Sequence, residues 1–268
     1  MSIKKVLTIA GSDTSGGAGI QADLKTFQER DVYGMTVLTT VVAMDPDQEW
    51  NHQVFPIELS TIRTQLKTVL DGIGIDAAKT GMLGSVELIE MIANQADSLG
   101  GMPFVVDPVL VCKGTDEVLH PETAVALREL LVPKATVVTP NLFEASQLAQ
   151  RPPIQTLDDM KQAAEAIFAL GAKNVIIKGG AKLNHDKAVD LLFDGNEFEL
   201  FEAEKIATTY VHGAGCTYSA AIAAELAKGH TVREAASIAK DFVSAAIRGG
   251  FRLNRFVGPT LHAAHRMA

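Results

Sequence analysis

The chain has 268 residues, 47% hydrophobic and 21% charged, enough for one substantial core. Its 24 basic against 32 acidic side chains give a formal charge of −8, which argues against nucleic acid or an anionic membrane as partner and requires any anionic ligand to be held by local groups. No apolar run approaches the roughly 20 residues of a membrane span, and the apolar stretch in MSIKKVLTIAGSD is too short for a secretory signal, so a cytoplasmic location is expected.

Short Val- and Ile-rich runs at Val6–Ala10, Val37–Ala43, Phe104–Asp107, Thr136–Thr139 and Asn174–Lys178 alternate with longer stretches of helical period. That alternation predicts an α/β fold, three-layered, with a mainly parallel sheet covered on both faces, in one domain over residues 1–268. Ligands of such sheets sit beyond the carboxyl ends of the strands, so the residues there carry the functional reading. The first strand runs into Ala10–Gly19, whose small residues allow close approach of the backbone to a ligand and whose Asp13 offers an acceptor; a plain turn is the alternative. It is neither a dinucleotide fingerprint nor a Walker loop. Leu59 to Leu70 reads as a helix with Leu59, Ile62, Leu66, Val69 and Leu70 on one face. Lys79-Thr80-Gly81-Met82 then offers a lysine at a strand end and an adaptable methionine, which could equally be core.

After Asp107 comes Pro108-Val109-Leu110-Val111-Cys112-Lys113-Gly114, and after Thr139 comes Pro140-Asn141-Leu142-Phe143-Glu144. Asp107, Asn141 and Glu144 suit a hydrated Mg²⁺ held against phosphates, although Asn141 and Glu144 also have the spacing of a helix-capping box. Arg151-Pro152-Pro153 reads as a surface loop. Lys178-Gly179-Gly180 closes the next strand with a lysine able to reach a phosphate, a merely solvated lysine being the alternative, and Ala188–Phe201 folds back at Asp194-Gly195 as an antiparallel hairpin at one sheet edge. Two Ala-rich helices follow, Cys216–Lys228 and Val232–Ile247, stopped by Gly229 and by Gly249-Gly250. The first opens on Val211-His212-Gly213-Ala214-Gly215-Cys216-Thr217, where main-chain N–H groups and the helix terminus would make an anion site without lysines. Cys216 on that turn is a candidate general base; a tight turn with a buried small cysteine is the alternative. Cys112 and Cys216 lie too far apart in sequence for a CxxC pair and form no metal-spaced cluster with the seven histidines.

Together, GSDTSGGAGIQADLKTF (11–27), KTGML (79–83), DPVLVCKG (107–114), TPNLFEA (139–145), IKGG (177–180) and HGAGCT (212–217) resemble the hydroxymethylpyrimidine kinase and pyridoxal kinase branch of the ribokinase-like superfamily, over almost the whole chain. The resemblance implies a three-layer α/β/α ribokinase-like fold, a homodimer, ATP with Mg²⁺ as donor and a small heteroaromatic alcohol as acceptor, and leaves dependence on a monovalent cation open. It puts Cys216 in the position of the catalytic base with Gly213, Ala214 and Gly215 as the anion hole. It matches Thr80, Glu117, Asn141, Lys178, Gly179, Gly180, Gly213 and Thr217 to nucleotide positions, and Asp107 and Glu144 to the metal. Gly11, Asp13, Gly19, Met44, His52, Met82, Val109 and Cys112 match the substrate pocket.

One departure selects the acceptor. Hydroxymethylpyrimidine kinases usually show a Gln-Asn pair after the second strand to read the pyrimidine edge, whereas this chain has Ala43-Met44-Asp45, and Met44 cannot make those hydrogen bonds. The following residues 45–56, treated as a loop able to close His52 over the ring, and Cys112 in place of a more usual Ala, resemble the pyridoxal kinases of this branch in Gram-positive bacteria. The expected reaction is phosphorylation of the 5′-hydroxymethyl group of pyridoxal, with pyridoxine and pyridoxamine as further acceptors. A thiolate at Cys112 could add to the aldehyde, or Cys112 could be a small buried hydrophobe. The competing readings are a hydroxymethylpyrimidine/phosphomethylpyrimidine kinase and a vitamin-binding protein that has lost turnover.

Overall fold

Val6, Leu7, Thr8, Ile9 and Ala10 are buried without alternation, as a strand covered on both faces requires, and they form the middle of β1 (Lys5–Asp13). The computed structural model describes residues 3–110 and 121–267, which divide into two compact units, residues 1–83 with 206–268 and residues 84–205. In the first unit β1 is followed by α1 (Gly19–Glu29) and β2 (Tyr33–Asp45), and it pairs in parallel with β2 and with β4 (Ala77–Thr80). Between β2 and β4, α2 (Leu59–Leu70) buries Ile62, Leu66 and Val69, the face expected from the spacing.

Residues 45–56 are not the loop expected from the sequence. β2 continues to Asp45 and β3 (Asn51–Pro56) returns antiparallel to it, with Met44 opposite His52, so strand order in this unit is β3-β2-β1-β4. The reversal passes through left-handed backbone at Glu49 (φ 50°) and Trp50 (φ 67°), and the Trp50 ring stacks on Phe256 with centroids 5.6 Å apart. The unit also buries a full ion pair: Lys79 Nζ lies 3.0 and 2.9 Å from the two carboxylate oxygens of Asp23, which also accepts from Thr8 Oγ1 at 2.6 Å. Lys79 is thus tied into the core and differs in role from Lys178. Removing one partner of such a pair costs about 3–5 kcal/mol because the survivor stays buried.

The second unit runs α3 (Val86–Ala96), β5 (Phe104–Val106), α4 (Pro121–Ala126), β6 (Val137–Val138), α5 (Leu142–Leu148), α6 (Leu157–Phe168), β7 (Val175–Gly180), β8 (Ala188–Phe193) and β9 (Phe198–Ala203). Its strand order is β5-β6-β7-β8-β9, the first three parallel and the last two antiparallel. The expected hairpin is present, with Gly195 at φ +94° in the turn and Phe193 stacked on Phe198 at 4.4 Å. Arg151-Pro152-Pro153 is exposed, as a surface loop should be.

The chain then returns to the first unit with α7 (Ala214–Ala227) and α8 (Val232–Arg248). Every residue of α7 from Thr217 to Ala227 is buried, and seven of those eleven are Ala, Ile or Leu. α8 starts with a capping box between Thr231 and Glu234. Among the described residues no helix is long and apolar enough to cross a membrane.

Candidate active site

The functional feature of the first unit is the start of α7. Its N-cap, Gly213, has φ +81° and ψ 0° and makes no side-chain cap. A Cβ at Gly213 would stand 1.8 Å from the carbonyl oxygen of Gly17, so only glycine fits. Ala214 N–H donates to Val211 O at 3.1 Å and Thr217 N–H to Gly213 O at 2.9 Å, while the N–H groups of Gly213 and Gly215 have no acceptor among the described residues. Two oriented donors and a helix terminus therefore remain for an anion. Cys216, half-buried, is the third residue of the helix.

Behind this turn, Asp13 accepts Ser15 N–H at 2.8 Å and Ser15 O–H at 2.7 Å on one oxygen, and Ala18 N–H at 2.8 Å and His212 Nε2 at 2.7 Å on the other. Burial alone would raise its pKa, but the hydrogen bonds from His212 and Ser15 prevail and hold it well below the usual carboxylate range. A folded-state pKa below the unfolded value means that the clasp is at full strength above pH ~4 and weakens as pH falls. Stability of the wild-type chain is expected to drop by about 1 kcal/mol between pH 5 and pH 3 from this group alone. Denaturant titrations of Asp13→Asn across that range should show a shallower fall; equal slopes would remove Asp13 from the account.

In the second unit, Asp107, Asn141, Glu144 and Lys178 meet at the carboxyl ends of β5, β6 and β7. Lys178 Nζ is 2.7 Å from Asp107 Oδ1, which Thr139 Oγ1 also reaches at 3.2 Å. Asn141 and Glu144 form a reciprocal capping box at the start of α5: Glu144 N–H donates to Asn141 Oδ1 at 2.9 Å, and Asn141 N–H to Glu144 Oε2 at 2.8 Å. Burial pushes the Glu144 carboxyl up, Lys178 pulls it down, and Asp107 raises it again. One lysine thus serves two neighbouring carboxylates, and further positive charge would be welcome. Among the described residues no group of three or more His, Cys, Asp or Glu could form a protein cage for a metal. Two neighbouring carboxylates could hold a hydrated divalent cation of the kind that binds mostly through phosphates and waters.

A family model described as "Phosphomethylpyrimidine kinase" matches residues 13–261, which takes in both sets of residues. The chain belongs to the phosphomethylpyrimidine kinase family. Within that family it is 61% identical to the pyridoxine kinase of Bacillus subtilis, with all of this chain and 98% of that one covered. It is 43% identical to the same organism's hydroxymethylpyrimidine/phosphomethylpyrimidine kinase, over 99% and 97% of the two chains. The crystal structure of an ADP complex of B. subtilis pyridoxal kinase superposes with a TM-score of 0.97 over the full length of both chains, and that of Staphylococcus aureus pyridoxal kinase with AMP-PCP and pyridoxal with 0.93, at 49% identity over 99% and 95%. These likenesses establish the expected ribokinase-like α/β fold.

Several residues matched to the family pattern occupy places that change their reading. Ala214 N–H is committed to Val211 O, which leaves the N–H groups of Gly213 and Gly215 as the candidate anion donors. Thr217 is fully buried; its hydroxyl donates to Gly213 O at 2.8 Å and its N–H to the same oxygen, leaving neither donor for a nucleotide. Thr80 is also fully buried at the end of β4, its hydroxyl sealed from solvent. Asp13 receives two hydrogen bonds on each oxygen, from Ser15 and Ala18 of its own loop and from His212. Gly11 on β1, Gly19 at the start of α1, Met44 on β2, His52 on β3 and Met82 after β4 all belong to the first unit, with Thr39 O–H holding Met82 O at 2.7 Å. In the second unit Val109 follows β5, and Gly179 and Gly180 end β7 beside Lys178. Cys112 and Glu117 lie outside the described residues. Sequence reading missed His212, the partner of Asp13, and His262, whose Nε2 is 3.0 Å from Thr217 Oγ1; only HGAGCT itself hinted at the former.

Proposed function

We propose that the chain transfers the γ-phosphoryl group of ATP to the 5′-hydroxymethyl group of pyridoxal, giving pyridoxal 5′-phosphate in vitamin B6 salvage, with pyridoxine and pyridoxamine as further acceptors. The observation that carries this reading is the uncapped start of α7, where two N–H donors without acceptors among the described residues adjoin a thiol on the same turn. Near-full-length identity to a pyridoxine kinase, and the pyridoxal-bound S. aureus structure, support the choice of acceptor.

In this reading Cys216 takes the proton of the substrate hydroxyl as it attacks the γ-phosphorus in line, and the N–H groups of Gly213 and Gly215 receive the charge on the equatorial oxygens. Lys178 meets the nucleotide phosphates, accompanied by Asn141, Gly179 and Gly180. Asp107 and Glu144 would hold Mg²⁺ through water; the ion, when bound, neutralises the phosphate oxygens. Gly11, Gly19 and Met82 bound the ring, with Met44 and His52 placed across from each other on the hairpin. A cytoplasmic homodimer belongs to the same reading; β3 ends the strand order of its unit with Val54 and Phe55 exposed, an apolar edge that association would cover.

The second reading, phosphorylation of hydroxymethylpyrimidine, is favoured by the family match and by the 43% identity to such an enzyme. Met44 weighs against it, because a thioether cannot donate and accept along a pyrimidine edge. Turnover of ATP with pyridoxal and, separately, with hydroxymethylpyrimidine decides between them. A kcat/KM at least tenfold higher for pyridoxal is expected; the opposite preference moves the chain to the pyrimidine reaction, and turnover of neither leaves a binding protein.

A further inference from the structure

The first turn of α7 is held by a buried segment that follows α8. Thr260 N–H donates to His212 O at 3.2 Å, and His212 N–H donates to Gly258 O at 3.1 Å, so residues 258–260 run alongside residue 212. Because a peptide group is planar, fixing the His212 carbonyl fixes the N–H of Gly213 on the opposite side. The next peptide, Gly213–Ala214, is tied at both ends: its carbonyl accepts from Thr217 N–H and Thr217 Oγ1, and its N–H reaches Val211 O. That peptide lies between the two that carry the unclaimed N–H donors, so its orientation aims both.

His262 completes this arrangement. It is 5% exposed, and its Nε2 lies 3.0 Å from Thr217 Oγ1. A hydroxyl has a single proton; with that of Thr217 given to Gly213 O, the hydroxyl accepts from the Nε2–H tautomer of His262. Burial, with Lys25 nearby, lowers the pKa of His262 to about 4 against the opposing pull of Glu29, so the ring is a neutral imidazole with one N–H, used here. The chain of donors runs His262 Nε2–H to Thr217 Oγ1–H to Gly213 O.

We infer that His262 is a positioning residue for phosphoryl transfer, holding the Gly213–Ala214 peptide through the Thr217 hydroxyl so that the flanking N–H groups stay aimed at the transferring phosphoryl. This rests on the phosphoryl-transfer reading above. His262 is buried and acts through the Thr217 hydroxyl, so its effect falls on the transition state, where the equatorial oxygens draw on those donors, more than on ground-state binding.

Steady-state kinetics of His262→Phe, His262→Gln and Thr217→Val with ATP and pyridoxal test it. His262→Phe is expected to lower kcat by roughly 10- to 100-fold, short of the 10²–10³ for losing an anion-hole donor outright, with both KM values within about threefold of wild type. His262→Gln, whose amide can present N–H near the position of Nε2, should recover most of the loss. Thr217→Val should match His262→Phe, and the double variant should be no slower than either alone, since both break one chain. A kcat for His262→Phe within twofold of wild type, a Gln variant as slow as Phe, or a loss that multiplies in the double variant would overturn the inference. Should the Phe variant melt below the assay temperature, Thr217→Val and the Gln variant still decide it. Failure of the wild-type chain to phosphorylate pyridoxal would strike the functional reading, and that result is separate from any of these.

Discussion

Cys216→Ala is expected to abolish most turnover, lowering kcat by about 10²- to 10⁴-fold, the range attributed to one positioned base, while KM for ATP changes little. Cys216 is half-buried on the first turn of α7, and the donors beside it belong to Gly213 and Gly215, so removing the thiol leaves the anion site in place. Cys216→Ser, a much poorer base at neutral pH, should sit near Ala and not near wild type. Either variant turning over within tenfold of wild type would show that the proton leaves by another route.

Gly213→Ala should be at least as damaging, for a different reason. The added methyl would meet Gly17 O at 1.8 Å, and Gly17 is backbone on the opposing loop that cannot rotate away. In addition an L-residue at φ +81° pays about 1–2 kcal/mol for the left-handed conformation. The turn must open, carrying the Gly213 and Gly215 N–H groups out of line, with an expected loss of 10² or more in kcat. Gly229→Ala supplies the control: it has φ +95° at the other end of the same helix, and no atom within 4 Å to clash with. That variant should melt a few degrees lower yet retain wild-type kcat. Comparable kcat losses in the two would mean that α7 as a whole, and not its first turn, limits the reaction.

What sequence reading could reach follows from the range of the signals. The strands β1, β5 and β7 are buried Val and Ile runs, and the helix face of Ile62, Leu66 and Val69 repeats at a local period, so both were legible. The capping box at Asn141 was legible for the same reason, since its partners are three residues apart. β3 was not: Asn51, Gln53, Val54, Phe55 and Pro56 are all exposed, so no alternation marks the strand, and its register exists only through pairing with β2. The polar contacts that redefine the site are longer still. Asp13 and His212 are 199 residues apart, Lys79 and Asp23 56, and Thr217 and His262 45, and nothing near any of them in sequence announces the other. Thr217 and Thr80 match nucleotide positions by resemblance and have fully buried side chains, a matter of burial that a motif does not encode.

The stacking of Trp50 on Phe256 makes the hairpin observable in solution. Trp50 is the only tryptophan in the chain, so all indole emission comes from the turn that joins β2 to β3, next to the strand bearing His52. Any displacement of that turn which parts the two rings changes the polarity around a single fluorophore, with no second indole to obscure it. The natural chain is therefore its own optical reporter for this hairpin, and ligand titrations followed by emission can be read residue-specifically without attaching a dye.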